Sequence, residues 1–222
     1  DFLRQAKRVR ALPQVKRMSG NAVAQHTILT VSFLLLVLTG FALRFSEGWV
    51  FRLIFGWDGG FHVRGITHRA SAVLFFVGCV WHVVYLFGAE GRRFFRDMML
   101  RLSDLGDLRQ MIRFNLGRER TGPRFGRFGF VEKIEYWALI WGSTVMFGTG
   151  ILLWFDNYAV RIMSKGVLEV MLVIHFYEAI LASLAIAVWH MYSVVFSPAV
   201  YPGNPAWING RMPTAMFEHE HP

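Results

Sequence analysis

The chain has a single cysteine among 222 residues, and that scarcity closes several routes at once. Cys79 alone can form no internal disulfide and no thiolate metal cluster, and inside an apolar stretch it reads as an inert buried thiol. No CxxCH motif is present to attach a c-type haem. Acidic residues are also few: 15 Asp and Glu stand against 24 Lys and Arg, a net charge of +9. Charged residues make up only 18% of the chain, whereas 54% is hydrophobic and 16% aromatic. That balance excludes an ordinary soluble domain of this length. The first 21 residues hold no apolar run of signal-peptide type, so no cleavable signal peptide is expected in them, and Asp1 in place of methionine reads as a trimmed start.

What the chain does have is four long apolar windows, roughly Ala22 to Leu43, Ile66 to Phe87, Ile134 to Phe155 and Val167 to Phe196. Each meets the requirement of about 20 apolar residues for crossing a hydrocarbon core. Pro198 is a natural stop for the last. The expected fold is an all-α integral membrane protein of four helices. Its parts are a basic segment at 1–21, a transmembrane domain at 22–196 with a basic link at about 88–131, and a turn-rich tail at 197–222.

The positive charge is sorted by position. Arg4, Lys7, Arg8, Arg10, Lys16 and Arg17 precede the first window, and ten arginines lie from Arg92 to Arg127 between the second and third. Only Arg44, Arg52 and Arg64, and then Arg161 and Lys165, mark the other two links. By the positive-inside rule both ends and the arginine-rich link face the cytoplasm. Nucleic acid is not the expected partner, because the basic residues flank spans rather than build one surface with stacking aromatics. Within the link, "RLSDLGDLRQMIRFNLG" carries its charges at helical intervals and predicts a surface amphipathic helix.

The two halves echo each other. "LTGFALRF" closes the first window and "GTGILLWFD" the third, while "VWHVVYLF" and "VWHMYSVVF" close the second and fourth. His68 stands fourteen residues before His82, and His175 fifteen before His190. On a helix these steps return each pair to within about 40° and 60° of one face, about 21 Å apart along the axis. Repeated halves of membrane proteins commonly pack with a functional site between them.

A lone membrane histidine is often only a helix-to-helix contact. Histidines at two matched depths suit another use, since a facing pair of neutral imidazoles can hold a six-coordinate haem iron. Zinc needs its ligands gathered at one point, and a proton relay would find mainly Glu178 inside these spans. His68 and His175 form the expected outer pair. The inner level offers three candidates, His26, His82 and His190. Symmetry favours His82 with His190, because aligning Gly40 with Gly150 sets Tyr136 opposite His26. Gly40 lies fourteen residues after His26, at the outer depth, where a missing side chain would admit a porphyrin; Gly142, Gly148 and Gly150 offer the same on the third window. His219 and His221 in the tail read as bystanders.

"QHTILTVSFLLLVLTGF", "RGITHRASAVLFF", "EKIEYWALIWGSTVMFGTGILLW" and "VIHFYEAILASLAIAVWHMY" together resemble the membrane cytochrome b subunits of respiratory oxidoreductases, of the formate dehydrogenase gamma-subunit and nickel-iron hydrogenase cytochrome b type. The resemblance implies a four-helix bundle with two b-type haems stacked across the bilayer, held by His68 with His175 and by His26 with His190. His82 departs from that pattern, so resemblance and symmetry name different partners for His190. The family also implies a quinone site, menaquinone or ubiquinone, near the start of the third span, where Glu132, Lys133 and Tyr136 are the nearest match. Further implications are a bacterial inner membrane location, with lipid, a periplasmic iron–sulfur or multihaem cytochrome subunit and a catalytic subunit as partners. The competing reading is a proton-coupled transporter or a haem-free anchor with histidines as polar contacts.

Overall fold

The computed structural model describes residues 12–123, 125–198, 200–201 and 203–220. His221 lies outside the described residues, as does the side chain of His219. The elements run β1 (Gln14–Lys16), α1 (Gly20–Arg44), α2 (Trp49–Phe55), α3 (Gly60–Leu86), α4 (Ala89–Met98), α5 (Leu102–Asn115), α6 (Phe130–Trp154), α7 (Asp156–Ala159), α8 (Lys165–Leu184), π-helical stretches Ala185–His190 and Tyr192–Phe196, α9 (Ala206–Asn209), β2 (Arg211–Pro213) and α10 (Thr214–Glu220). Four of these are long and apolar enough to cross a membrane: α1, α3, α6 and the continuous Lys165–Phe196.

Local chemistry starts and stops them. Ser19 Oγ accepts the Ala22 N–H at 3.3 Å to open α1, and Ser164 does the same for Val167 at 3.4 Å in α8. At α6 the Glu132 carboxylate accepts the Gly129 N–H at 2.7 Å, closing the first turn on itself. Gly59, at φ 81°, makes the left-handed turn into α3. The stretch expected to form an amphipathic helix forms α5, and a further short helix, α4, precedes it in the same link.

The chain forms two compact units. The first comprises Lys16–Gly88 with Pro205–Arg211. Here α1 and α3 pack as a hairpin whose buried seam is small or polar except for Phe75: Gln25, Ser32, Thr39 and Ala42 from α1, and Ser71, Phe75 and Gly78 from α3. Ser32 satisfies its own hydroxyl by donating to Ile28 O at 2.7 Å. A Cβ on Gly78 would stand 3.2 Å from Ile28 Cγ2, so that glycine sets how closely the helices approach. Short α9 lies against α1, with the Trp207 and His26 rings 6.3 Å apart. Gly210, at φ 75°, accepts the Arg17 and Met18 N–H groups on its carbonyl at 2.8 and 3.0 Å.

Of the described residues, the second unit comprises Ala89–Asn204 with residues 12–15 and 212–220. In it α6 pairs with α8, while α4 and α5 cover the start of α6. Lys133 Nζ donates to Asp104 Oδ1 at 2.7 Å, with side chains only 8% and 7% exposed. Trp137 Nε1 donates to Met98 O at 2.9 Å, and Phe94 meets the Phe128 and Tyr136 rings edge-on. Burial alone would raise the Asp104 carboxyl, but the hydrogen bonds from Lys133 and the Arg101 backbone, with both positive charges, hold it below the ordinary carboxylate range.

Outward from these seams the spans are apolar. Leu34, Val73, Val77, Val84, Leu172, Leu181 and Val188 are all exposed, as a hydrocarbon solvent allows and water would not.

Candidate functional site

Four histidines in the spans are each fixed from the partner helix of their own hairpin. In the first unit Thr39 Oγ1 lies 2.9 Å from His68 Nδ1 and 2.6 Å from Leu35 O. A carbonyl only accepts, so the hydroxyl proton points to Leu35 and the oxygen accepts from Nδ1–H. Fourteen residues further along α3, His82 Nδ1 lies 2.8 Å from Gln25 Oε1. The Gln25 amide nitrogen donates to Asn21 Oδ1 at 3.0 Å, which orients its oxygen toward the ring as acceptor.

The second unit repeats the pattern. Thr149 Oγ1 lies 2.8 Å from His175 Nδ1 and 2.8 Å from Val145 O. His190 Nδ1 lies 3.0 Å from Glu135 Oε2. In all four rings the proton is thereby assigned to Nδ1, and Nε2 carries the lone pair, the tautomer that presents a ligating nitrogen to a metal. A partner that fixes the ring and its tautomer is the usual outer support of a metal-binding histidine. The donor set therefore fits an iron porphyrin taken between imidazoles.

On α1 the two supports are fourteen residues apart, as are His68 and His82 on α3. On α6 Glu135 and Thr149 also stand fourteen apart, but His175 and His190 are fifteen apart. The extra residue falls where the fourth span turns π-helical, from Ala185 to His190. A π turn absorbs one inserted residue within a helix, so His190 reaches the same support position as His82 does in a plain α-helix.

His26 is placed differently. Its Nδ1 lies 3.4 Å from Thr30 Oγ1, one turn along its own helix, and its ring faces Trp207. The glycines flank the outer pair: a Cβ on Gly40 would stand 3.4 Å from His68 Cε1, and one on Gly150 would stand 3.3 Å from His175 Cε1. Gly142 serves Glu178 instead, since a Cβ there would meet its Oε1 at 2.8 Å. Of the three residues expected around a quinone, Glu132 caps α6, Lys133 is held by Asp104, and Tyr136 packs on Phe94.

Sequence reading passed over the four supports, Gln25, Thr39, Glu135 and Thr149. Their signal is in the repeat: the alignment that joins Gly40 to Gly150 also joins Thr39 to Thr149 and Gln25 to Glu135. Arg64 belongs to the same neighbourhood. Its Nη1 donates to Thr39 O at 3.3 Å, one helical turn before His68.

The family model described as prokaryotic cytochrome b561 matches residues 17–202, which contain all four spans and with them His26, His68, His82, His175 and His190. Among curated proteins none matches the chain.

Proposed function

The chain belongs to the prokaryotic cytochrome b561 family, and from that premise we propose that this membrane cytochrome b carries electrons through two b-type haems. One haem takes His68 and His175, and the other takes His190 with His82, one histidine from each hairpin. The observation that carries this reading is the fourfold repetition of an Nδ1–H held by a partner-helix acceptor. Haem iron between two imidazoles supplies one-electron transfer. The protein's own contribution is to hold each ring at a set angle, keep its proton on Nδ1 and exclude water with an apolar surround.

His26 is the alternative partner for His190, and the family resemblance favours it. The equivalence of Gln25 with Glu135 supports His82, because it gives both inner rings an acceptor at the same place on the partner helix, whereas the Nδ1 of His26 lies 3.4 Å from Thr30 Oγ1 on its own helix. Alanine variants separate the two. Under this proposal His82→Ala loses one low-spin haem by pyridine haemochrome and electron paramagnetic resonance, and His26→Ala keeps both. The reverse result returns the ligand role to His26. Two haems in both variants would remove both residues from the inner site.

By charge placement the arginine-rich link and both ends lie on the cytoplasmic side of a bacterial inner membrane. Electrons then pass between a partner subunit at the outer face, of iron–sulfur or multihaem cytochrome type, and a quinone near the inner face. Glu132 and Lys133 are engaged in holding the start of α6, so a quinone contact in that group rests on Tyr136. Loss of quinone-coupled haem oxidation in Tyr136→Phe, with haem content unchanged, supports that placement; unchanged coupling removes it.

A further inference from the structure

The two hairpins differ at one support. Where α1 offers the neutral amide of Gln25 to His82, α6 offers the carboxylate of Glu135 to His190 at 3.0 Å. The outer supports show no such difference, being threonine in both. Lys133, the nearest cation in sequence, is committed to Asp104 at 2.7 Å. The second carboxylate oxygen, Glu135 Oε1, is buried and makes no hydrogen bond among the described residues. The negative charge of this group is thus shared chiefly with the His190 ring.

We infer that Glu135 is a positioning residue that sets the reduction potential of the haem bound by His190 below the value two neutral supports would give. This rests on the dihaem reading above. An anionic acceptor on Nδ1–H strengthens the electron donation of Nε2 and adds a negative charge beside the metal, and both favour the ferric state. By the repeat alone the two rings of this haem would have matching neutral supports, and Glu135 is the residue that breaks the match.

The test is potentiometric titration of the purified, haem-loaded protein, with haem counted per chain and low-spin signals recorded for each variant. Glu135→Gln makes the two hairpins alike. It should raise one midpoint by about tenfold in the one-electron equilibrium, or roughly 59 mV, and leave the other where it was. The converse change, Gln25→Glu, should lower that same midpoint. Movement of neither midpoint in Glu135→Gln, equal movement of both, or loss of the haem itself would overturn the inference. A shift in Glu135→Gln with none in Gln25→Glu keeps the role of Glu135 and overturns only His82 as the second ligand. A wild-type chain holding fewer than two haems would overturn the reading beneath it.

Discussion

Thr39 Oγ1 accepts a hydrogen bond from the Nδ1–H of His68 at 2.9 Å while its own hydroxyl donates to Leu35 O at 2.6 Å, one turn back on its helix. The threonine therefore works in one direction only, and it locks the ring's tautomer through the backbone of the neighbouring span. Thr149 does the same for His175.

Replacing Thr39 with Val keeps the shape and removes the acceptor, leaving an N–H unmatched in a low-dielectric seam at a cost of about 1–3 kcal/mol. We expect haem affinity at that site to fall about 10- to 100-fold, with the other haem retained. Thr39→Ser, which restores the hydroxyl, should recover it. Haem titration into the apoprotein checks both, and a Val variant that binds like wild type would show the threonine to be mere packing.

His68→Ala and His175→Ala should each remove one haem and spare the second, because the two levels stand about 21 Å apart along the helices. Pyridine haemochrome stoichiometry reads the result. Complete haem loss in a folded variant would mean the two sites are not independent.

Deleting Ala187 shortens the His175–His190 spacing from fifteen residues to the fourteen of the first hairpin. The π turn at Ala185–His190 has then nothing to absorb. Retention of two low-spin haems is the expected outcome; loss of one would show that His190 needs the wider turn itself, not only the register.

The Lys133–Asp104 pair joins α5 to the start of α6 and is nearly sealed from solvent. Removing one partner, as in Asp104→Asn, leaves the other charge buried and should cost about 3–5 kcal/mol in thermal or denaturant unfolding. The Asp104 carboxyl is held below its ordinary range, so its contribution is present above the unfolded value near ~3.9 and is lost as pH falls through the lower folded value. An acid series of melting curves should show wild type and variant converging only at that end.

Gly210 holds a left-handed backbone, and a Cβ there would stand 2.6 Å from Met18 O. Gly210→Ala should therefore loosen Pro205–Arg211 from the start of α1 by about 1–3 kcal/mol, seen as faster proteolysis of the tail. The low-spin haem spectrum should be unchanged.

The spans are legible from sequence because lipid imposes a one-dimensional rule, about 20 apolar residues per crossing, and no tertiary contact is needed to apply it. The same holds for the repeat: paired histidines and matching "LTGF" and "GTGI" closures are visible as spacing alone. Spacing cannot say which atom of a ring is occupied. Only the packed hairpins bring Thr39 to His68 and Gln25 to His82, across 29 and 57 residues of chain, and so fix the proton on Nδ1. Nor does sequence give Lys133 its role. In the linear chain it stands in a group suited to a quinone, but the fold of the link spends it on Asp104, because a buried charge must find its opposite before it can serve anything else. The π turn belongs to the tertiary structure as well. Fifteen residues between His175 and His190 mean a rotated face on a regular helix, and only the packed fourth span converts that surplus residue into a wider turn.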